Sequence, residues 1–164
     1  MKFFTFILLS LLAMTLTRAV SPVLAQDLFK ERIRKLSSNK TSVYIEKGIF
    51  HNGGVKLVST LKSLRQSYNP KQGFERIVID FSTDKIPKIY GNISSDEKKI
   101  YLDIFETTLD KSFKTVANTR YVEKINFFPI ESNHLSIDLK LKNKVIADIF
   151  FLESPGRLVI DLKN

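Results

Sequence analysis

The side chains with the clearest chemical potential are carboxylates that recur in a six-residue pattern. The pattern runs basic, apolar, any, apolar, Asp, apolar, and it occurs at Arg76–Phe81, Lys99–Ile104, His134–Leu139 and Arg157–Leu162. Such carboxylates, together with Glu75, could act as general acids or bases, or they could pair with the basic residues of neighbouring strands. The spacing alone places no two of them in the close opposition that glycoside hydrolysis requires.

Other kinds of catalytic or metal chemistry find little support in the sequence. The chain contains no Cys, which excludes disulfides, thiolate metal sites and Cys nucleophiles, and its two His residues are too few for a His-rich metal centre. His134 and Asp138 are four residues apart on one strand, about 13 Å, so they cannot form part of a triad within it. We therefore expect no catalytic residue, no metal site, no cofactor and no enzymatic activity.

The elements that must position the motif residues are short strands. From Phe74 onward apolar and polar residues alternate, and turn signals such as Glu153-Ser154-Pro155-Gly156 recur every 10–15 residues. The stretch 106–119 is less regular and could hold one helical turn. This pattern predicts an antiparallel all-β domain, either a sandwich or a barrel. The strands are predicted at Phe74–Phe81, Ile86–Ile93, Lys98–Phe105, Arg120–Phe128, Leu135–Leu141, Val145–Leu152 and Arg157–Leu162.

Parity assigns each motif residue to a face of its strand. The apolar residues at the second, fourth and sixth positions point into the core, while the basic residue and the Asp point outward. The outward basic residues could face Asp across neighbouring strands as a ladder of ion pairs, or they could form a ligand-binding face. Under the second interpretation the candidate binding residues are Arg76, Lys99, Arg157 and the outward Tyr101, which could stack on a sugar ring.

The motif spacing also indicates an internal duplication. The four segments start 23, 35 and 23 residues apart, so a shift of 58 residues places residues 76–104 on residues 134–162 without a gap. Equal spacing in two halves predicts a pseudo-symmetric sandwich of two similar sheets.

Two of the motif strands carry a resemblance to a known family. The stretches Phe74–Ser82 and Pro155–Leu162 resemble the first and last signature strands of the AMIN (amidase N-terminal) family, and the resemblance covers roughly residues 56–162. It implies a sandwich of two similar four-stranded sheets. It also implies a periplasmic module that binds peptidoglycan or localises a cell-wall amidase or pilus secretin, although this sequence carries neither amidase nor secretin sequence.

The resemblance decides one local conflict. Leu57, Leu61, Leu64 and Tyr68 have helical spacing. The resemblance instead implies a strand over about residues 58–68, paired through the turn at 69–73 with Phe74–Phe81. We expect the strand, because Ser59, Thr60 and Ser63 weaken a helix.

The beginning of the chain predicts export. Residues 1–25 have a basic start, an apolar run and small residues at Val23 and Ala25, which is typical of a signal peptide cleaved after Ala25. A retained N-terminal membrane anchor is the alternative. Residues 26–55 are expected to be an extension with a short helix at residues 26–36 and a linker, followed by the sandwich at 56–164.

Charge and export together suggest the ligand. The formal net charge is +9, and on an exported protein this favours anionic envelope polymers over nucleic acid. We therefore expect a periplasmic binding module for peptidoglycan or another anionic envelope polymer, with no stable membrane span after signal cleavage. The alternatives are a structural adaptor of a pilus or secretin-type assembly that acts through protein contacts, and a lipid carrier with an apolar groove between its sheets.

Overall fold

The computed structural model of the chain describes residues 33–40, 42–114, 119–131 and 133–164. These residues form an all-β sandwich. The strands are β1 (Arg34–Lys35), β2 (Lys47–His51), β3 (Ser59–Asn69), β4 (Phe74–Phe81), β5 (Ile89–Ser94), β6 (Lys99–Phe105), β7 (Thr107–Leu109), β8 (Val122–Ile130), β9 (His134–Leu141), β10 (Ile146–Leu152) and β11 (Arg157–Lys163).

The strands form two sheets that pack face to face. The six-stranded sheet has the order β1-β2-β5-β6-β9-β8, and the five-stranded sheet has the order β10-β11-β4-β3-β7. The predicted all-β sandwich is therefore confirmed. The sheets are mixed rather than purely antiparallel, because β1 pairs with β2 and β7 pairs with β3 in parallel. Both parallel pairings lie at sheet margins, and every other pairing in the two sheets is antiparallel.

The two sequence halves are interleaved between the sheets. The central order of one sheet is β5-β6-β9-β8 and that of the other is β10-β11-β4-β3. Exchanging each strand for the one related by the 58-residue shift converts the first order into the second. Each sheet thus contains one hairpin from each half, so neither half can bury its apolar face without the other. The topology agrees with the predicted pseudo-symmetry.

The space between the sheets is filled by the apolar residues that parity assigned to the core. Each of these residues is at most 4% exposed, and a contiguous cluster surrounds them, so the interior leaves no apolar channel of the kind a lipid carrier needs. They are Ile77, Ile79, Phe81, Ile100, Leu102, Ile104, Leu135, Ile137, Leu139, Leu158, Ile160 and Leu162.

The conflict over the segment before Asn69 is resolved in favour of a strand. Strand β3 runs antiparallel to β4, with Asn69 opposite Phe74 and Leu64 opposite Ile79. Gly73 in the connecting turn has a φ of +69°, which suits glycine. The helical spacing of the leucines is produced by a bulge between Leu61 and Ser63, which brings both Leu61 and Leu64 onto the buried face.

Two expectations about local structure are corrected. The helix expected at residues 26–36 is described only from Ile33 onward. There, Arg34 and Lys35 form β1 because they pair with Phe50 and His51. In the stretch 106–119 the described residues contain β7 and a turn but no helix, because Ser59 and Leu61 of β3 provide a parallel partner for Thr107 and Leu109.

The segment before β3 belongs to the sandwich and closes one of its open sides. Leu36 donates its N–H to the His51 carbonyl in the six-stranded sheet at 2.6 Å. Ser37 accepts a hydrogen bond from the Phe151 N–H in the other sheet at 3.0 Å. Ile45 then pairs with Ala147 on the same edge. The chain therefore crosses from one sheet to the other between residues 36 and 45.

Some predictions concern residues that the structure does not describe. The signal peptide of residues 1–25, its cleavage after Ala25 and residues 26–32 of the extension all lie there. Within the ranges that the structure does describe, no helix has the length and apolar character needed to cross a membrane.

At Gly91 the Phe50 side chain of β2 packs directly against the backbone of β5 within the six-stranded sheet. It lies on β5 opposite Phe50, which is fully buried. A Cβ at this position would lie 2.2 Å from Phe50 Cζ and 2.8 Å from the Tyr101 carbonyl oxygen. The Phe50 ring therefore occupies space that only glycine leaves free.

We expect Gly91→Ala to lower the free energy of unfolding by about 2 kcal/mol, because the added methyl group must displace a buried ring or a backbone carbonyl. Urea denaturation measures this change. Asn92→Ala, on the exposed face of the same strand, is the control and should change stability by no more than about 0.5 kcal/mol. Equal effects of the two substitutions would contradict the packing described at Gly91.

Candidate functional site

The four candidate binding residues lie on two opposite surfaces. Arg76 is on β4 and Arg157 is on β11, and both project from the outer face of the five-stranded sheet. Lys99 and Tyr101 are on β6, and they project from the outer face of the six-stranded sheet. Because the sheets pack through their inner faces, the four residues form two separate surfaces rather than one.

Arg76 is held by an acid of the neighbouring strand. Arg76 and Asp161 are opposite each other in the register of β4 and β11. The guanidinium donates from Nε to Asp161 Oδ1 at 2.6 Å and from Nη2 to Oδ2 at 2.8 Å, and Lys40 Nζ donates to Oδ2 at 2.6 Å. This is the cross-strand ion pair expected from the motif, strengthened by the two-pronged geometry of Arg.

Asp161 is fully buried, although parity places it on the outer face of the sheet. The residues before β2 explain the difference, because Lys40 from that segment lies over the carboxylate. Burial by itself would raise the pKa of Asp161, but the hydrogen bonds from Arg76 and Lys40 outweigh burial and lower the pKa. Asp161 is therefore ionised and structural.

Asp148 is opposite Asp161 on β10 and is equally buried, but it lacks comparable partners. Neither of its oxygens meets full hydrogen-bond geometry with a partner among the described residues, although Arg34 Nη2 lies 3.8 Å from Oδ1 and the Val43 N–H acts weakly on the carboxylate. Burial raises the pKa of Asp148 and the neighbouring Asp161 raises it further, against the opposing charges of Arg34 and Lys40. The same face thus holds one well-paired carboxylate and one poorly paired one.

The second motif ion pair is not formed in the way that the register suggests. Arg157 is opposite Asp80, but Asp80 is engaged by Arg65 from β3 through two hydrogen bonds of 2.7 Å and by the Ser63 hydroxyl at 2.6 Å. The Arg157 side chain donates to the Pro155 carbonyl at 3.2 Å, and no carboxylate of the described residues lies within ion-pair distance of it.

The two central strand pairs differ in register by two residues. If β6 and β9 were paired as β11 and β4 are, Lys99 would face Asp138 and Asp103 would face His134. Instead Lys99 faces Lys140, Tyr101 faces Asp138 and Asp103 faces Ser136. On the six-stranded sheet the motif acids therefore face Tyr101 and Ser136 rather than basic residues.

This register creates a groove, which we call the tyrosine groove, formed by Tyr101, Asp103, Phe128, Ser136 and Asp138. Its volume is about 440 Å³. Tyr101 is 37% exposed and Phe128 is 50% exposed, and they flank the central strand β9 from β6 and β8, so their strands are about 10 Å apart. The Ser136 hydroxyl donates to Asp103 Oδ1 at 2.5 Å, while Asp138 Oδ1 is shielded from solvent and has no partner in the described chain.

Cations and further aromatic rings border the tyrosine groove. Lys99 Nζ lies 5.4 Å from the centre of the Tyr101 ring, and the Tyr101 side chain raises the pKa of Lys99, so Lys99 is a cation at neutral pH. On the other side a row of rings crosses three strands, with centroid distances of 5.9 Å for Tyr90–Phe105 and 4.3 Å for Phe105–His134. The six-stranded face thus combines exposed rings, acceptors and lysines.

Sequence reasoning missed several residues of both faces. Phe128 and Phe127 are adjacent on a strand, so one of them had to point outward, and this signal was available. Arg65 could have been placed opposite the second half of β4 from the hairpin alone. The sequence could not show that Asp138 lacks a basic partner, because this depends on the register between β6 and β9.

We also searched the described residues for a metal site and compared the chain with known proteins. Among the described residues, no cluster of three or more His, Asp or Glu side chains could hold a metal ion. Comparison of the chain with protein-family models, with curated proteins and with solved structures finds no match.

We expect Asp161→Asn and Asp148→Asn to have opposite effects at pH 7, although the two buried residues face each other. Asp161→Asn should lower the free energy of unfolding by about 2 kcal/mol, because charge-assisted hydrogen bonds to Arg76 and Lys40 are weakened. Asp148→Asn should raise it, because burying a poorly paired charge is costly. Urea denaturation of both variants measures the difference.

The pH dependence of these effects follows from the two pKa shifts. The lowered pKa of Asp161 stabilises the fold above the unfolded value of about 3.9, and this contribution is lost as the pH falls further. The raised pKa of Asp148 is a cost at neutral pH, and the cost disappears on protonation. The effect of Asp161→Asn should therefore shrink below about pH 4, whereas the effect of Asp148→Asn should shrink at higher pH, as the raised pKa of Asp148 is approached, and be lost by about pH 4. Effects of the same sign at pH 7 would contradict this account.

Proposed function

We propose that the protein is a non-catalytic glycan-binding module of the bacterial cell envelope, located in the periplasm, and that peptidoglycan is its ligand. The observation that carries the proposal is the tyrosine groove, in which two exposed aromatic rings flank acceptor groups on a rigid sheet. The groove lies open on the outer face of the sheet, so an extended polymer can run along it beyond the residues that it contacts.

The groups of the tyrosine groove match the two kinds of surface that a pyranose ring presents, its apolar C–H groups and its polar substituents. An aromatic ring packs against the C–H groups of a sugar, and ionised carboxylates accept hydrogen bonds from its hydroxyl or amide N–H groups. Asp138 is half-buried and its shielded Oδ1 has no donor in the described chain, so its carboxylate is poorly satisfied and gains from a donor that a ligand brings to its accessible side. A hydroxyl-rich ring between Tyr101 and Phe128 meets both requirements.

Charges around the groove favour a ligand that is neutral or acidic. Lys99 faces Lys140, and Lys140 in turn faces Lys124, so a basic row borders the groove on the sheet, with Lys140 paired to Glu123 at 2.9 Å. This row offsets Asp103 and Asp138 and disfavours a cationic ligand. The formal net charge of +9 acts in the same direction at longer range and attracts acidic polymer.

We expect the purified protein to be retained on isolated peptidoglycan sacculi, and Tyr101→Ala to weaken the retention about tenfold, a loss of 1.4 kcal/mol. The physical reason is the loss of the stacking surface beside Asp138. A sedimentation assay with increasing protein concentration measures the affinity. Retention should also weaken between low and physiological salt, because charge contributes to binding.

Tyr68→Ala is the matched control for this experiment. Tyr68 is also 37% exposed, but it lies on β3 in the other sheet, beside Arg120. Equal retention of the two variants would remove the tyrosine groove from the proposal. Release of soluble fragments from the sacculi by the purified protein would contradict a non-catalytic role.

A second candidate function, an adaptor that binds an envelope protein, is favoured by strand β8. This strand is an edge of the six-stranded sheet, and along its outer side it pairs with no other strand of the described chain, so a partner strand could add there. Phe128 and Ile130 near its end are about half exposed, which gives such a partner apolar contacts. Pro129 removes one backbone donor from this edge.

The adaptor function predicts a specific protein contact at this edge. Because the chain has no Cys, Ile130→Cys provides a unique attachment site for a thiol-linked photo-crosslinker. If the edge is an adaptor surface, crosslinking in cells should give one discrete protein adduct with Ile130→Cys. The control Val58→Cys, exposed before β3, should not give it. Absence of an adduct, or the same adducts from both positions, would argue against the adaptor.

A further inference from the structure

The outer face of the five-stranded sheet carries a second groove, which we call the arginine groove. Its volume is about 420 Å³, within the range of small-molecule sites. Its floor is one cross-strand row in which Phe150, Val159 and Val78 follow each other on β10, β11 and β4. Phe150 and Val159 are buried, so the apolar surface that stays open belongs to Val78 and to Leu152 of β10. Three guanidiniums line it, those of Arg65, Arg76 and Arg157.

The arginines are placed on three sides of this apolar floor. Arg65 continues the apolar row on β3, opposite Val78. Arg76 belongs to the neighbouring row on one side, and Arg157 belongs to the neighbouring row on the other side. The groove therefore has an apolar centre and a cationic rim, whereas the tyrosine groove has a rim of aromatic rings and a floor of acceptors.

The arginines on the rim keep some of their hydrogen-bond donors, although two of them are paired with carboxylates. Asp80 binds Nε and Nη2 of Arg65, and Asp161 binds Nε and Nη2 of Arg76. A guanidinium has five donors, so each of these arginines retains others, and their positions are held by the pairs. Arg157 forms no ion pair in the described chain, although its charge acts on Asp80, and its Nε donates to the Pro155 carbonyl, so Nη1 and Nη2 can give a two-pronged contact to a ligand.

From this arrangement we infer that the arginine groove is a binding site for an amphiphilic anion, in which a carboxylate or phosphate group is attached to a short apolar body. The anionic group binds Arg157, since Arg pairs with both anions through parallel hydrogen bonds. The apolar body covers Val78 and Leu152, the partly exposed apolar residues of the groove, and excludes water from the contact. The inference does not rest on the proposed function, because the tyrosine groove is on the opposite face.

The apolar floor distinguishes this ligand from a free ion. Inorganic phosphate can satisfy the guanidiniums but leaves Val78 and Leu152 in contact with water, so it gains no apolar burial. An uncharged apolar molecule can bury the apolar floor, but it would separate the guanidiniums from water without giving their N–H groups a hydrogen-bond acceptor. Only a molecule with both parts uses the whole groove.

Calorimetric titration of the purified protein with four probes tests the inference. Octanoate and octyl phosphate represent the two anions on the same apolar body, inorganic phosphate lacks the body, and octanol lacks the charge. We expect octanoate, octyl phosphate or both to bind at least tenfold more tightly than inorganic phosphate and octanol. Comparison of the first two probes distinguishes a carboxylate ligand from a phosphate ligand.

Substitution of Arg157 links the binding to the groove. Arg157→Ala should weaken the tighter amphiphile at least tenfold, and Arg157→Lys should give an intermediate affinity because it keeps the charge but loses the two-pronged geometry. Lys71→Ala, in the exposed turn before β4, removes the same charge elsewhere and should leave the affinity unchanged. Thermal unfolding by circular dichroism should show that the variants remain folded, as expected for a side chain without an ion pair.

Several outcomes would overturn the inference. Octanol binding as tightly as octanoate would show a non-specific apolar surface, and inorganic phosphate binding as tightly as octyl phosphate would show that the floor is unused. No binding of any probe, or equal effects of Arg157→Ala and Lys71→Ala, would show that the arginine groove is not a site. None of these results bears on retention by sacculi, which is tested through Tyr101.

Discussion

The alternation of apolar and polar residues in the four motif strands is the constraint on which the rest of the structure depends. Each motif strand has one wholly apolar face, and a single sheet has only one side on which to bury it. The sandwich buries four such faces by placing β4 beside β11 and β6 beside β9, and then stacking the two pairs. Both pairs join the two halves of the chain, so the core forms only when both halves are present.

The same motif has different consequences on the two outer faces. On the five-stranded sheet the register brings Arg76 to Asp161, and the motif serves as an ion pair under the segment before β2. On the six-stranded sheet a shift of two residues separates the acids from the bases and leaves Asp138 beside Tyr101. Duplication followed by a change of register therefore explains how one motif supports both a structural face and a candidate binding face.

The segment before β2 covers an open edge of the sandwich and also sets the charge environment of two acids. By crossing between the sheets it covers the edge of β10, which would otherwise present unpaired backbone groups. It also removes two acids, Asp148 and Asp161, from water, and Lys40 of this segment donates a hydrogen bond only to Asp161. The resulting contrast between a well-paired and a poorly paired carboxylate makes this region sensitive to pH. The arginine groove lies beside it and shares Arg76 with the ion pair.

The strands, their faces and the duplication could be predicted from the sequence because each depends on local alternation and on spacing along the chain. The predicted first strand and its hairpin with β4 were also correct, since a turn with Gly73 joins them directly. The short strands β1 and β7 could not be predicted, because three residues or fewer carry too little pattern and their partners are distant or parallel.

Two features were decided only by the tertiary structure. The register of β6 against β9 is invisible in the sequence, since a shift of two residues keeps every apolar side chain on the same face and so costs no burial. The burial of Asp161 depends on Lys40, which lies 121 residues away along the chain. Alternation therefore determines which way a side chain points, and what it meets there is determined by contacts between distant segments.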